Sequence, residues 1–171
     1  MDSVCRRIRF VFFVTFVVPK SPRCHKLTIP RVLALNGTEV SMRGWDRYLA
    51  GLMALLLAGN GVAMLAAPLG WYDAVPGVPA TGPFNPHFVR DIGAVYLACA
   101  LGLGWFAWRP AQGWPAMALG AAWLTMHAAV HVYDATCGAR PLADIQRDFV
   151  GVYLFAAIPL ALAIFRKPQG V

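Results

Sequence analysis

The sequence predicts an all-α fold: an integral membrane four-helix bundle, up-and-down, with a two-helix internal repeat as a further hypothesis. Three observations carry this. Hydrophobic residues make up 58% of the 171 positions and charged residues only 13%, about half the charge of an ordinary globular domain. Four apolar segments of the length that a membrane helix needs follow one another after Met42. Leu and Ala dominate these segments, with none of the Val/Thr alternation of a barrel strand.

Residues 1–41 stand apart as a basic, poorly structured N-terminal extension. They hold seven Lys or Arg and two acids, +5 of the chain's net +7. The apolar run Phe10–Val18 is too short for a spanning helix, and "VVPKSP" is a poor cleavage site. At Met42 the chain restarts as "MRGWDRYLAGLMALLL". The expectation is that Met42 is the native start.

The helical domain is 42–171. Its helices are expected at about 47–68, 86–108, 114–134 and 145–166. The stretch "APLGWYDAVPGVPATGPFNP" breaks the pattern after the first helix with five prolines, and reads as a loop. Asn85-Pro86 is a helix start, with Asn as cap and Pro in the first turn. "RPAQGWP" and "DATCGARPLAD" are short links, which favour antiparallel neighbours. The rows Ala50/Ala54/Ala58, Ala94/Ala98/Gly102 and Ala121/Thr125/Ala129 allow close helix approach.

Orientation follows from Lys and Arg. Arg43, Arg47, Arg109, Arg166 and Lys167 fall on one face; Arg90, Arg140 and Arg147 fall on the other with most of the acids. The positive-inside rule then places both termini in the cytoplasm of a bacterial inner membrane. Trp and Tyr residues mark both interfaces.

"VRDIGAVYLACALGL" (89–103) aligns without gaps onto "QRDFVGVYLFAAIPL" (146–160), with seven identical positions of fifteen. Arg90-Asp91 and Arg147-Asp148 open both copies, with Tyr96 and Tyr153 at equal distance behind them. Adjacent helical residues point about 100° apart. The expected pairing is therefore crossed, Arg90 with Asp148 and Arg147 with Asp91, clamping the second helix to the fourth.

The unusual polar residues gather at the outer end. They are Asn60, His87, Arg90, Asp91, His127, His131, Asp134, Arg147 and Asp148. His127, His131 and Asp134 share one helical face by spacing. Two readings stand beside the clamp. The arginines suit an anionic ligand or headgroup. His127 and His131, at i and i+4, form half of a zinc or haem site that His87 or Asp134 would complete. A proton relay through the His/Asp set is a further reading.

The four cysteines match no zinc or redox spacing, and Cys99 reads as a small core hydrophobe. No Ser-His-Asp set, phosphate loop or dinucleotide fingerprint occurs, and the basic residues are not interleaved with aromatics as a nucleic-acid face requires. The expected role is a non-enzymatic partner subunit or small-ligand binder, with the lipid bilayer as its first partner and no nucleic acid.

Four helices, the "PHFVRDIGAVYL" opening of the second and the polar outer end resemble the small DoxX-like bacterial membrane proteins, over about Arg43 to Lys167. Some members of that wider group are subunits of a thiosulfate:quinone oxidoreductase, and others associate with redox partners. The resemblance implies a quinone-linked redox role or a membrane redox partner. It carries over no catalytic residue. Self-association is an alternative to a redox partner, and transport is disfavoured, because four helices alone enclose a small pore.

Overall fold

The computed structural model describes residues 44–168. The N-terminal extension, the Met42 start and the last three residues lie outside this range. Among the described residues all regular structure is helical. In chain order these are α1 (Gly44–Ala66), α2 (Pro68–Ala74), a 3₁₀ turn (Val78–Thr81), α3 (Pro86–Trp108), α4 (Pro110–Cys137), α5 (Pro141–Asp148), a π turn (Phe149–Tyr153) and α6 (Leu154–Phe165).

Local chemistry explains the boundaries. The Asn85 side chain accepts from the backbone N–H of His87 at 3.0 Å and of Phe88 at 3.2 Å. It satisfies two of the donors that open α3, and Pro86 follows where its missing N–H costs nothing. Pro also opens α2, α4 and α5. The region after α1 is more ordered than a loop: Tyr72 donates to the Gly82 carbonyl at 2.6 Å and packs on Phe84.

Three helices are long and apolar enough to cross a membrane: Gly44–Ala66, Pro86–Trp108 and the continuous stretch Pro141–Phe165. The expected third span is not among them. Helix α4 is long enough, at 28 residues, but Gln112, Trp114, Trp123, His127, His131, Asp134 and several glycines dilute its apolar content. Its place in the packing fits this, since α3 and α6 both lie against it.

Neighbouring helices run antiparallel. Contacts between α1 and α3 pair Gly51 with Ala107 at one end and Gly61 with Gly93 toward the other. Phe106 and Leu103 on α3, Met117 and Leu124 on α4, Leu57 and Met64 on α1, and Leu162 on α6 form the core.

Glycine, more than the alanine rows, sets the closest crossings. A Cβ on Gly61 would stand 2.7 Å from the Gly93 carbonyl oxygen, and one on Gly93 would stand 2.8 Å from Met64 Cβ. Gly113 and Gly102 do the same between α3 and α4. Of the expected rows, Ala50, Ala54 and Ala121 are buried, whereas Ala94, Ala98 and Ala129 are exposed.

One end of the bundle is basic and rich in Trp. Arg47 donates to the carbonyls of Ala107 at 2.8 Å and Trp108 at 3.0 Å, satisfying the C-terminus of α3. Arg166 lies 2.9 Å from the carboxylate of Asp46, which is fully buried. Arg166 also covers Trp45, and Lys167 covers Trp114. The opposite end carries Asp73, Asp91, Asp134, Asp144 and Asp148.

Candidate functional site

The acidic end holds one connected set of polar and aromatic side chains, built by α3, α4, α5 and the π turn. Asp148, at the last position of α5, is its centre. Its side chain is only 10% exposed. Arg147 donates to it twice, from Nε to Oδ1 at 2.7 Å and from Nη2 to Oδ2 at 3.1 Å. Arg147 Nη1 reaches Asp144 at 2.8 Å. His131 Nδ1 stands 2.8 Å from Asp148 Oδ2. A carboxylate only accepts, so Nδ1 carries the proton in that bond.

The set continues down α4. The rings of His131 and His127 meet edge to face at 4.7 Å, and His127 stacks on Trp123 at 5.2 Å. The Tyr96 hydroxyl of α3 lies 3.4 Å from His127 Nε2. Helical spacing puts Trp123, His127 and His131 on one face of α4, and antiparallel packing lays Tyr96 and Asp148 across it. The row runs from a buried tyrosine to a carboxylate at the bundle end.

The crossed clamp does not form. Arg147 turns back onto its own neighbour, because a long guanidinium side chain spans the angle that separates adjacent helical positions. Asp91 instead meets His87 at 3.3 Å, one turn earlier on the exposed face of α3. Arg90 is exposed and forms no ion pair among the described residues.

The two Arg-Asp copies therefore differ: one faces outward, and in the other Asp148 is buried while Arg147 covers it from the surface. Asp134 is also exposed and lies outside the set. Asn60 serves another purpose, accepting from Trp71 Nε1 at 2.8 Å and tying α2 to α1. Of the nine expected residues, His127, His131, Arg147 and Asp148 are brought together.

Four participants were not singled out as site residues from the sequence: Tyr96, Trp123, Asp144 and Tyr153. The tyrosines carried a signal, since both copies of the repeat hold one behind Arg-Asp.

The backbone gives Tyr153 its place. The N–H of Leu154 bonds to the carbonyl of Phe149, the i to i+5 pattern of a π turn. This widened turn brings residue i+5 over residue i, as an ordinary turn does for i+4. Tyr153 thus comes round toward Asp148, whereas Tyr96 and Asp91 on regular α3 diverge. The Tyr153 hydroxyl is buried and has no hydrogen-bond partner among the described residues.

Gly77 completes the enclosure. It has φ +87°, and a Cβ there would lie 2.5 Å from Arg147 Cζ. The segment between α2 and the 3₁₀ turn thus lies directly against the guanidinium.

Among the described residues no group of three or more His, Cys, Asp or Glu is placed to hold a metal ion. His131 directs Nδ1 to Asp148, and His127 faces Tyr96, so the pair does not converge on a common point. No family model matches the chain, and no curated protein or solved structure matches it.

Proposed function

We propose that the protein is a four-span bacterial inner-membrane protein that binds a small hydrogen-bonding ligand at its acidic end. In this reading α4 completes the membrane domain although its own composition is mixed, and both termini lie in the cytoplasm. The observation that carries the proposal is the Tyr153 hydroxyl. It is buried and has no hydrogen-bond partner among the described residues, on a side chain that a π turn carries round after Asp148, and π turns recur at functional sites. A buried hydroxyl left unpaired is costly, so a ligand that accepts from it, or donates to it, gains that bond at once.

The charges select the ligand class. Arg147 already faces two carboxylates, Asp144 and Asp148. Its positive charge is balanced by them, which disfavours the anionic ligand that stood beside the clamp as an alternative reading of the sequence. A neutral ligand with a carbonyl or hydroxyl group fits better.

A quinone-linked role is the second reading, and a specific arrangement favours it. Quinone reduction takes up protons with electrons. The row Tyr96, His127, His131, Asp148 offers exchangeable protons from the interior to the bundle end. The resemblance to small DoxX-like membrane proteins points the same way and is itself part of this proposal. The protein would then act as a membrane subunit beside a redox partner that supplies the electrons.

The test uses a short-chain benzoquinone as probe and the fluorescence of Trp123 as readout, in a background where the other five tryptophans are Phe, since Trp123 stacks on His127. Tyr153→Phe is expected to weaken binding five- to tenfold while leaving thermal stability unchanged or higher. Unchanged affinity in this variant would remove the ligand role of Tyr153. Absence of quenching by any quinone in the wild type would remove the second reading and leave other carbonyl ligands to be screened.

A further inference from the structure

A second feature lies on the other side of the molecule, at the basic end. Helices α1 and α3 meet backbone to backbone at Gly61 and Gly93 and are held wider toward Arg47 and Trp108, where Gly51 faces Ala107 and Gly104 faces Ala54 through a methyl. The wedge between them is an open groove of about 850 Å³. Its floor is made of small residues, Gly51, Ala54, Gly104 and Ala107, and its rims are Leu55 and Leu101. Both rim leucines are exposed, at 73% and 75%, so nothing within the described residues covers the groove.

At its mouth stand Arg47, Tyr48 and Trp108, and a smaller cavity of about 370 Å³ adjoins there, lined by Gly44, Arg47, Tyr48 and Ala107. We propose that this groove holds one anionic phospholipid, with an acyl chain along the trough and its phosphate at Arg47.

Three observations favour this occupant. The first is length. The groove runs from Arg47 to Ala58, which at an α-helical rise is about 16 Å, half of the roughly 30 Å hydrocarbon core. It is about one leaflet deep, and the contact at Gly61 and Gly93 closes the seam beyond it, roughly 21 Å from Arg47.

The second is charge. Arg47 gives two of its N–H donors to the carbonyls of Ala107 and Trp108, and a guanidinium has five. The remaining donors are exposed at headgroup depth beside the Tyr48 ring, at the end that also carries Arg109, Arg166 and Lys167. The third is the floor itself. A Cβ on Gly51 would meet only Ala107 Cβ at 4.0 Å, and one on Gly104 only Ala54 Cβ at 3.9 Å. These two glycines are not forced by helix contact as Gly61 and Gly93 are. They leave space that packing within the chain does not use.

The experiment is native mass spectrometry of the full-length protein in mild detergent. It is titrated with phosphatidylglycerol and with phosphatidylcholine of the same acyl chains. The wild type is expected to retain one phosphatidylglycerol with about fivefold preference, the scale of one basic residue at a membrane surface. Arg47→Gln should bring the preference near one. Gly51→Leu should abolish retention of both lipids with helical content unchanged, and Gly104→Leu provides the same block from the facing helix. Equal retention of the two lipids by the wild type would overturn the proposal. So would retention untouched by both leucine variants, or a dimer that either variant dissociates.

Discussion

Asp148 and Asp91 occupy equivalent positions in the two repeat copies, yet their surroundings assign them opposite costs. Asp148 is nearly buried and accepts from both Arg147 and His131. Asp148→Asn leaves those donors with a weakened partner and is expected to lower stability by about 1.5–3 kcal/mol, the worth of hydrogen bonds to a charged group. Asp91→Asn touches only an exposed His87 contact and should stay within about 0.5 kcal/mol. Thermal unfolding in one detergent compares the two. Equal losses would contradict the asymmetry. At Gly77 the constraint is backbone conformation: φ +87° costs an L-residue roughly 1–2 kcal/mol, and an added methyl also meets Arg147. Gly77→Ala should therefore lower stability and displace the guanidinium, read as a loss of the Arg147–Asp144 contact by side-chain NMR.

At the scale of elements, the glycine crossings decide how closely helices approach. Gly93→Ala puts a methyl 2.8 Å from Met64 Cβ and 3.0 Å from the Gly61 carbonyl. Backbone cannot yield there as a flexible side chain would, so a loss of about 1–3 kcal/mol is expected. Gly59→Ala on the same α1 meets nothing within 4 Å and should be neutral or slightly stabilising through helix propensity. Parallel unfolding curves of the two variants check this.

The element scale also shows what the sequence made legible. The start of α3 was readable because Asn-Pro carries its own chemistry. The π turn was not. Phe-Val-Gly-Val-Tyr has the same apolar character as an α-helix, and only the i to i+5 backbone bond of the folded chain brings Tyr153 round toward Asp148. Arg147 and Asp148 were recognisable as unusual, but their partners were not, since pairing depends on which way α5 enters the bundle. The small-residue rows were legible only in part: Ala50, Ala54, Gly102 and Ala121 are buried, whereas Ala94, Ala98 and Ala129 are exposed, because in an Ala-rich chain small residues occur on every face.

At the scale of the whole molecule, the separation of basic and acidic ends is the property that membrane insertion would read. Single cysteines at Gly82, Gly138 and Gln112, in a chain otherwise free of cysteine, test the order of spans. The first two should react with an impermeant reagent from one side and the third only from the other. Labelling of Gln112 and Gly138 from the same side would mean that α4 does not cross. The same charge separation was visible in the sequence. The identity of the end that draws the bundle shut was not, because Asp46 and Arg166 are 120 positions apart.

Their contact has a topological meaning. With the start of α1 beside the finish of α6, the helices form a closed circuit, and the present order along the chain is one way of cutting it. A permuted polypeptide, joined by a short linker from Lys167 to Gly44 and opened within 75–85, would keep the Arg166–Asp46 contact and every helix pair while moving both ends to the acidic side. Such a molecule would separate what the membrane reads in the order of segments from what their mutual packing requires.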